Sequence, residues 1–229
     1  MKKIMTRLLS LVLLGAFIPS FVLAETWDLG KGDITVTATE TSQTVSQVNG
    51  ETKDDPDPVI TSSGKTENTV IINAEANATA NVTLENVNID TGTRGGAAIT
   101  TSGEGNVNIE LNGTNTVQSG NTHAGVEKKD NGTLTITDED KDGSLTATGG
   151  NYGAGIGGGY EGSGSNIAIE GGKVKAIGGT HGAGIGGGYE GSGSNIAIEG
   201  GKVKAIGGTH GAGIGGGYEG SGSNIAIEG

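Results

Sequence analysis

Asp138-Glu-Asp140-Lys-Asp142-Gly143 sets a carboxylate at every second residue and closes on glycine. A calcium ion needs several hard oxygen ligands around a tight turn, and D-x-D-x-D-G is a spacing that supplies them. Leu145, at the eighth position of such a loop, also suits it. Gly149 stands at the twelfth, where a bidentate Glu belongs, and no helical pattern flanks the run. The segment reads either as a calcium loop with ligands Asp138, Asp140 and Asp142 or as a solvated acidic turn. Calcium is the one cofactor suggested.

A second pattern is aromatic. Tyr160, Tyr189 and Tyr218 recur at a spacing of 29 residues, each followed by a carboxylate, Glu161, Glu190 and Glu219. A Tyr ring can stack on a sugar while neighbouring carboxylates bond its hydroxyls. Tyr160, Tyr189 and Tyr218 with Glu161 and Glu190 therefore form a candidate carbohydrate-binding face. His181 and His210 make a second column, which lacks a third metal ligand. The alternative for both columns is decoration of turns. Gly153-Ala-Gly155-Ile-Gly157-Gly158 fits G-x-G-x-x-G and returns at Gly182 and Gly211. A dinucleotide site also needs a helix whose N-terminus meets the phosphate. No helical period follows any copy, so these glycines read as corners. No catalytic constellation stands out, and the chain reads as a non-enzyme.

The elements that carry these residues are set by a repeat. Residues 153–200 recur letter for letter as 182–229. A fixed period of this size marks a stacked-repeat architecture. Within one unit, Ile167 and Ile169 alternate with Ala168 and Glu170, and Val174 and Ala176 with Lys173 and Lys175. Ala183 and Ile185 sit between glycines. Alternation with one apolar face is a half-buried strand. Three short strands per coil, closed by Gly-Gly or Gly/Ser turns, predict an all-β fold: a single-stranded parallel β-helix (a β-solenoid), expected to be right-handed. The Tyr-Glu-Gly-Ser-Gly-Ser segments alone can also be read as flexible linker.

The same inward positions can be followed upstream. The first strand runs back through Leu134/Ile136 and Val107/Ile109 to Val82/Leu84, and the third through Ala124/Val126 to Ala97/Ile99. The second reaches Val87/Ile89 through an imperfect Thr116/Val117. The organisation expected is a signal peptide at 1–24, an N-terminal cap with first strands at 25–80, diverged coils at 81–152 and identical coils at 153–229. In the cap, Ile34, Val36 and Ala38 alternate, Thr69–Asn73 is a strand, and Thr52–Pro58 is an acidic loop. The last coil presents an open edge suited to edge-to-edge self-association, and the natural chain is expected to continue beyond residue 229.

Lys2, Lys3 and Arg7 precede an apolar run from Leu8 to Val22, and small residues end it at Ala24. That is the pattern of an export signal cut after Ala24. The run falls short of the roughly 20 apolar residues of a membrane span. Its removal leaves eleven basic residues against 26 acidic ones, a balance of −15. Such a charge disfavours nucleic acid and anionic lipid as partners. The absence of Cys from an exported chain suits a bacterial surface protein. Arg94 is the one Arg beyond the signal, and the diverged turns around it and Asp138 are further candidates for selective binding.

Leu111-Asn-Gly-Thr-Asn-Thr-Val117, Leu134-Thr-Ile-Thr137, Gly143-Ser-Leu-Thr-Ala-Thr-Gly-Gly150 and Gly153-Ala-Gly-Ile-Gly-Gly-Gly159 carry a resemblance. Over residues 80–229 the chain resembles the Gly-rich repeat regions of Firmicutes-type surface proteins. The resemblance implies a parallel β-helix and a carbohydrate-binding or adhesin-like role on a cell surface, and it brings no residue roles with it. The chain is thus expected to be secreted, with a polysaccharide or surface glycan as partner. A purely structural stalk is the alternative, and a polysaccharide lyase or hydrolase stands behind both.

Overall fold

The computed structural model describes residues 24–228 except 49, 51 and 130. The expected signal peptide, apart from Ala24, lies outside the described residues. Three ladders of strands make the coil. The first stacks eight: Thr26–Asp28, Val59–Thr61, Thr79–Glu85, Asn106–Asn112, Leu134–Thr137, Gly164–Ile169, Gly193–Ile198 and Gly222–Ile227. The second stacks Asn88–Asp90, Thr114–Gln118, Ser144–Thr148, Lys173–Ile177 and Lys202–Ile206. The third runs from Ile34–Ala38 through Val70–Ala74, Ile99–Gly103 and Val126–Lys128 to Ile156–Gly157, Ile185–Gly186 and Ile214–Gly215. Every pairing is parallel except at the N-terminal edge of the third ladder. There Gln43–Gln47 and Thr52–Asp54 add an antiparallel extension. The expected β-solenoid is therefore the fold.

Alternation decides which side chains go in. Ile136, Ile169 and Ile198 stack in one inward column, and Leu134, Ile167 and Ile196 in another. Ile136, Ile169, Leu134 and Ile185 are fully buried. Each such side chain contributes roughly 1.5–3 kcal/mol relative to exposure. The core is thin and almost wholly aliphatic, which is why one buried Trp, Trp27, suffices.

The parallel coil starts at Thr26–Asp28, which pairs with Val59–Thr61, so the first strands expected at 25–80 include rungs of the helix. Three details differ from the sequence reading. Thr52–Asp54, read as loop, is strand. At Val82 the register is two residues away from the one read: Ile109 pairs with Val82 and Leu111 with Leu84. A shift of two keeps every side chain on its own face, so alternation alone cannot choose between the two. Third, Asn115 occupies the inward position opposite Leu145. It is 1% exposed. Its Oδ1 accepts from Val87 N at 2.9 Å, and its Nδ2 donates to Asn112 O and Ser144 O at 3.1 and 3.2 Å. Those bonds offset the cost of burying an amide.

Arg94 is spent on the fold. Its Nη1 and Nη2 donate to Asp33 Oδ1 and Oδ2, both at 2.8 Å, and Nη1 also reaches Glu67 O. Asp33 accepts from Thr69 N at 2.7 Å as well. These contacts, led by the Arg94 hydrogen bond, hold the Asp33 carboxyl below the usual carboxylate range. A lowered carboxyl pKa stabilises the fold above the ordinary value near 4 and stops doing so as pH falls through the lowered one. Arg94→Ala is expected to cost about 1 kcal/mol, because both partners are partly exposed. A thermal melt at pH 7 checks the loss. At a pH below the lowered Asp33 value, the difference between variant and wild type should shrink.

Candidate functional site

Each Tyr of the repeat follows Gly-Gly-Gly in the turn from the third ladder to the first. These turns are hydrogen-bonded rungs, not flexible linkers. Tyr189 N donates to Tyr152 O and Tyr218 N to His181 O, both at 2.8 Å. Glu161 N donates to Tyr189 O and Glu190 N to Tyr218 O, also at 2.8 Å. Glu161, Glu190 and Glu219 sit at φ of 54°, 55° and 59°, a left-handed backbone that non-glycine residues adopt sparingly. Further ladders of identical side chains flank them: Asn195 Nδ2 donates to Asn166 Oδ1 at 3.0 Å, and Ser165 and Ser194 share a hydrogen bond of 2.7 Å.

The rings stack on one another. Tyr160 and Tyr189 lie 5.3 Å apart and 4° from parallel, Tyr189 and Tyr218 5.5 Å and 15°. Beside them runs the second column, where Tyr152 stacks on His181 at 5.1 Å and His181 on His210 at 5.2 Å. The two columns meet edge to face, as at Tyr152–Tyr160 and His181–Tyr189, each 5.6 Å. Stacking therefore uses up both faces of Tyr189. The ring of Tyr160 is covered by Tyr189 on one face, and its residue is 47% exposed. A sugar that stacks on this ladder needs an open ring face, and Tyr160 supplies one.

The adjoining carboxylates raise the phenol pKa values. At Tyr160, Tyr189 and Tyr218 the leading cause is the hydrogen bond to the following Glu. Tyr189 is pushed up to about 12. A raised phenol pKa favours the folded state below the ordinary value near 10, and that contribution is lost as pH rises through about 12. Absorbance titration at 295 nm should show phenols ionising later than free tyrosine. In Glu190→Gln, ionisation of Tyr189 should return toward the ordinary range; an unchanged titration would separate the shift from Glu190.

At the N-terminal end of this ladder a cleft of about 540 Å³ opens between Tyr160 and the preceding coil. His123, Glu127, Lys128, Lys129 and Asn131 line it with Tyr160. Glu127 pairs in register with Gly157, so a carboxylate stands where the identical coils have glycine. It is 2% exposed. Its Oε2 accepts from Ala124 N at 3.0 Å and lies 2.8 Å from His123 Nδ1, while Oε1 pairs with Lys129 Nζ at 2.7 Å. In the neutral ring that donates Nδ1–H to that carboxylate, the other nitrogen of His123 is left to accept a hydrogen bond. The sequence reading missed this cluster. The signal was present: counting back 29 residues from His181 gives Tyr152 and then His123, and Glu127 stands one rung before the glycines of the third ladder.

The structure does not gather the expected calcium ligands. Among the described residues no group of three or more His, Cys, Asp or Glu is placed to hold a metal ion. Asp138 Oδ1 instead accepts from Gly143 N at 3.1 Å, Lys141 takes a φ of 61°, and Asp140 and Asp142 are exposed. The run closes as a turn around its own backbone, which leaves Asp138 turned inward on the loop.

The G-x-G-x-x-G copies precede no helix; each contains a two-residue strand of the third ladder, and a turn and a strand of the first ladder follow. Most of these glycines also differ from the corners expected. Gly186, at φ of 130°, does need a glycine backbone. Gly182 does not, yet an added Cβ would stand 1.9 Å from Gly153 O of the coil before it. Close approach of successive coils is the constraint there.

A family model described as a beta helix repeat matches residues 141–160, 167–189 and 196–218. The fold of the chain is a parallel β-helix, and the matched segments are repeats of it. Neither the curated proteins nor the solved structures contain a match to it. The matched segments of this β-helix repeat protein run through the turns that carry Tyr160, Tyr189 and Tyr218.

Proposed function

We propose that this β-helix repeat protein is exported and acts at the cell surface as a carbohydrate-binding, adhesin-like module rather than an enzyme. The observation that carries the reading is the half-exposed Tyr160 ring at the edge of a cleft lined by charged and amide side chains. Aromatic platforms beside a few convergent polar groups suit sugars, which have an apolar ring face and a rim of hydroxyls. The basic, then apolar, start of the chain supports export. Among the described residues no helix is long and apolar enough to cross a membrane. The acidic balance favours a glycan partner over nucleic acid.

A structural stalk is the rival reading, favoured by the identical coils whose side chains bond mainly to their own copies. An array of plant and host polysaccharides separates the two. Binding that weakens in Tyr160→Ala supports the glycan reading. A folded protein that binds nothing on the array leaves the stalk.

A further inference from the structure

The ladder of tyrosines grows with every 29-residue coil, but the cleft does not. It exists where the identical coils meet the diverged one that carries His123 and Glu127. In the later coils the Glu127 position is Gly157, Gly186 and Gly215, so its carboxylate has no counterpart there. Ring faces tell the same story. Tyr189 is sandwiched between Tyr160 and Tyr218, whereas Tyr160 bounds the cleft.

We infer that the protein holds one sugar site per chain, in the cleft between His123 and Tyr160, whatever the number of identical coils that follow. The inference rests on the glycan reading above and deepens it. The ligand class is a neutral pyranose within an oligosaccharide. Its ring lies on the open face of Tyr160, one hydroxyl donates to the free nitrogen of His123, and others meet Asn131 and the Lys129–Glu127 pair. Glu127 is a positioning residue: buried and bonded to Ala124 N, it fixes the tautomer and orientation of His123. The volume of about 540 Å³ suits one or two sugar rings. The identical coils then serve to carry this site and do not multiply it.

The test titrates cellotetraose, xylotetraose, mannotetraose and chitotetraose into the full chain and into a variant lacking 182–210, which removes one coil without breaking the repeat. The expected result is one site per chain at both lengths, with equal affinity. Tyr160→Ala should weaken binding by about tenfold, and Tyr160→Phe, which keeps the ring, should retain it. Tyr160 is 47% exposed, so neither variant opens the core. His123→Gln should also weaken binding, and Tyr218→Ala should leave it unchanged. Stoichiometry that falls when the coil is removed, or affinity indifferent to Tyr160→Ala, overturns the inference and leaves the glycan reading standing. No tetrasaccharide bound by any variant overturns the inference as well, and the polysaccharide array then decides whether the broader reading falls with it.

Discussion

Ile169→Asp should abolish the cooperative melt of the coil or lower its stability by more than about 4 kcal/mol. Ile169 is fully buried and pairs in register with Ile136 on one side and Ile198 on the other. The substitution removes the roughly 1.5–3 kcal/mol of its burial. It also places a carboxylate where the nearest neighbours are aliphatic, with no donor to receive it. Because each coil touches only its neighbours, the damage should spread to the rungs on both sides. Lys175→Asp, next to inward Val174 and itself exposed, is the control and should stay within about 0.5 kcal/mol. Circular dichroism during heating reads both. A wild-type melt for Ile169→Asp would mean that the strand presents its other face to the core.

Gly182→Ala should cost about 3 kcal/mol although it adds one methyl group. The new Cβ would lie 1.9 Å from Gly153 O and 2.4 Å from Gly153 C. That carbonyl already accepts from Gly179 N at 3.0 Å. Backbone held in a rung cannot step aside without breaking the bond that defines it. Gly64→Ala is the contrast: nothing lies within 4 Å of the added atom, and Gly64 is not among the positive-φ residues. It should change stability by less than about 0.5 kcal/mol. Chemical denaturation of both proteins measures the gap. Similar behaviour of the two would show that coils can separate to admit a methyl.

The contrast explains what the sequence could and could not tell. Alternation at Ile167/Ile169 and Val174/Ala176 disclosed the fold, because burial on one face leaves a period of two in any strand. It could not disclose register at Val82, since a slip of two positions is silent to alternation. Nor could it separate the glycines. Gly182 and Gly186 are the same letter, but Gly182 is needed for space alone and Gly186 for its backbone angle as well. At the candidate site, identity between copies drew the eye to Tyr160, Tyr189 and Tyr218. Their stacking on one another is a consequence of exact registry, and it removes the inner ring, Tyr189, from use. The cluster around Glu127 was legible only as a departure, a charged residue on the rung before a column of glycines begins. The acidic run at Asp138 left a calcium loop and a solvated turn both open, because spacing records the order of carboxylates and not their direction. The hydrogen bond from Gly143 N turned the first of them back on the chain.

The registry of the repeat has one more consequence. Asn166 meets Asn195, which meets Asn224; Lys173 meets Lys202; Ile167 meets Ile196. Each coil is therefore a template for its own copy, and docking one coil against the next does not specify which copy has arrived. During folding, a later copy could settle on a given coil and leave 29 residues looped out, with every local contact satisfied. Energy alone within the uniform stretch distinguishes such a slip only through the rungs it forfeits. The rungs that break the degeneracy are the mixed ones, where Tyr152 meets His181 and Glu127 meets Gly157. The diverged coils thus act as the index mark of the stack, the place from which an otherwise interchangeable series is counted.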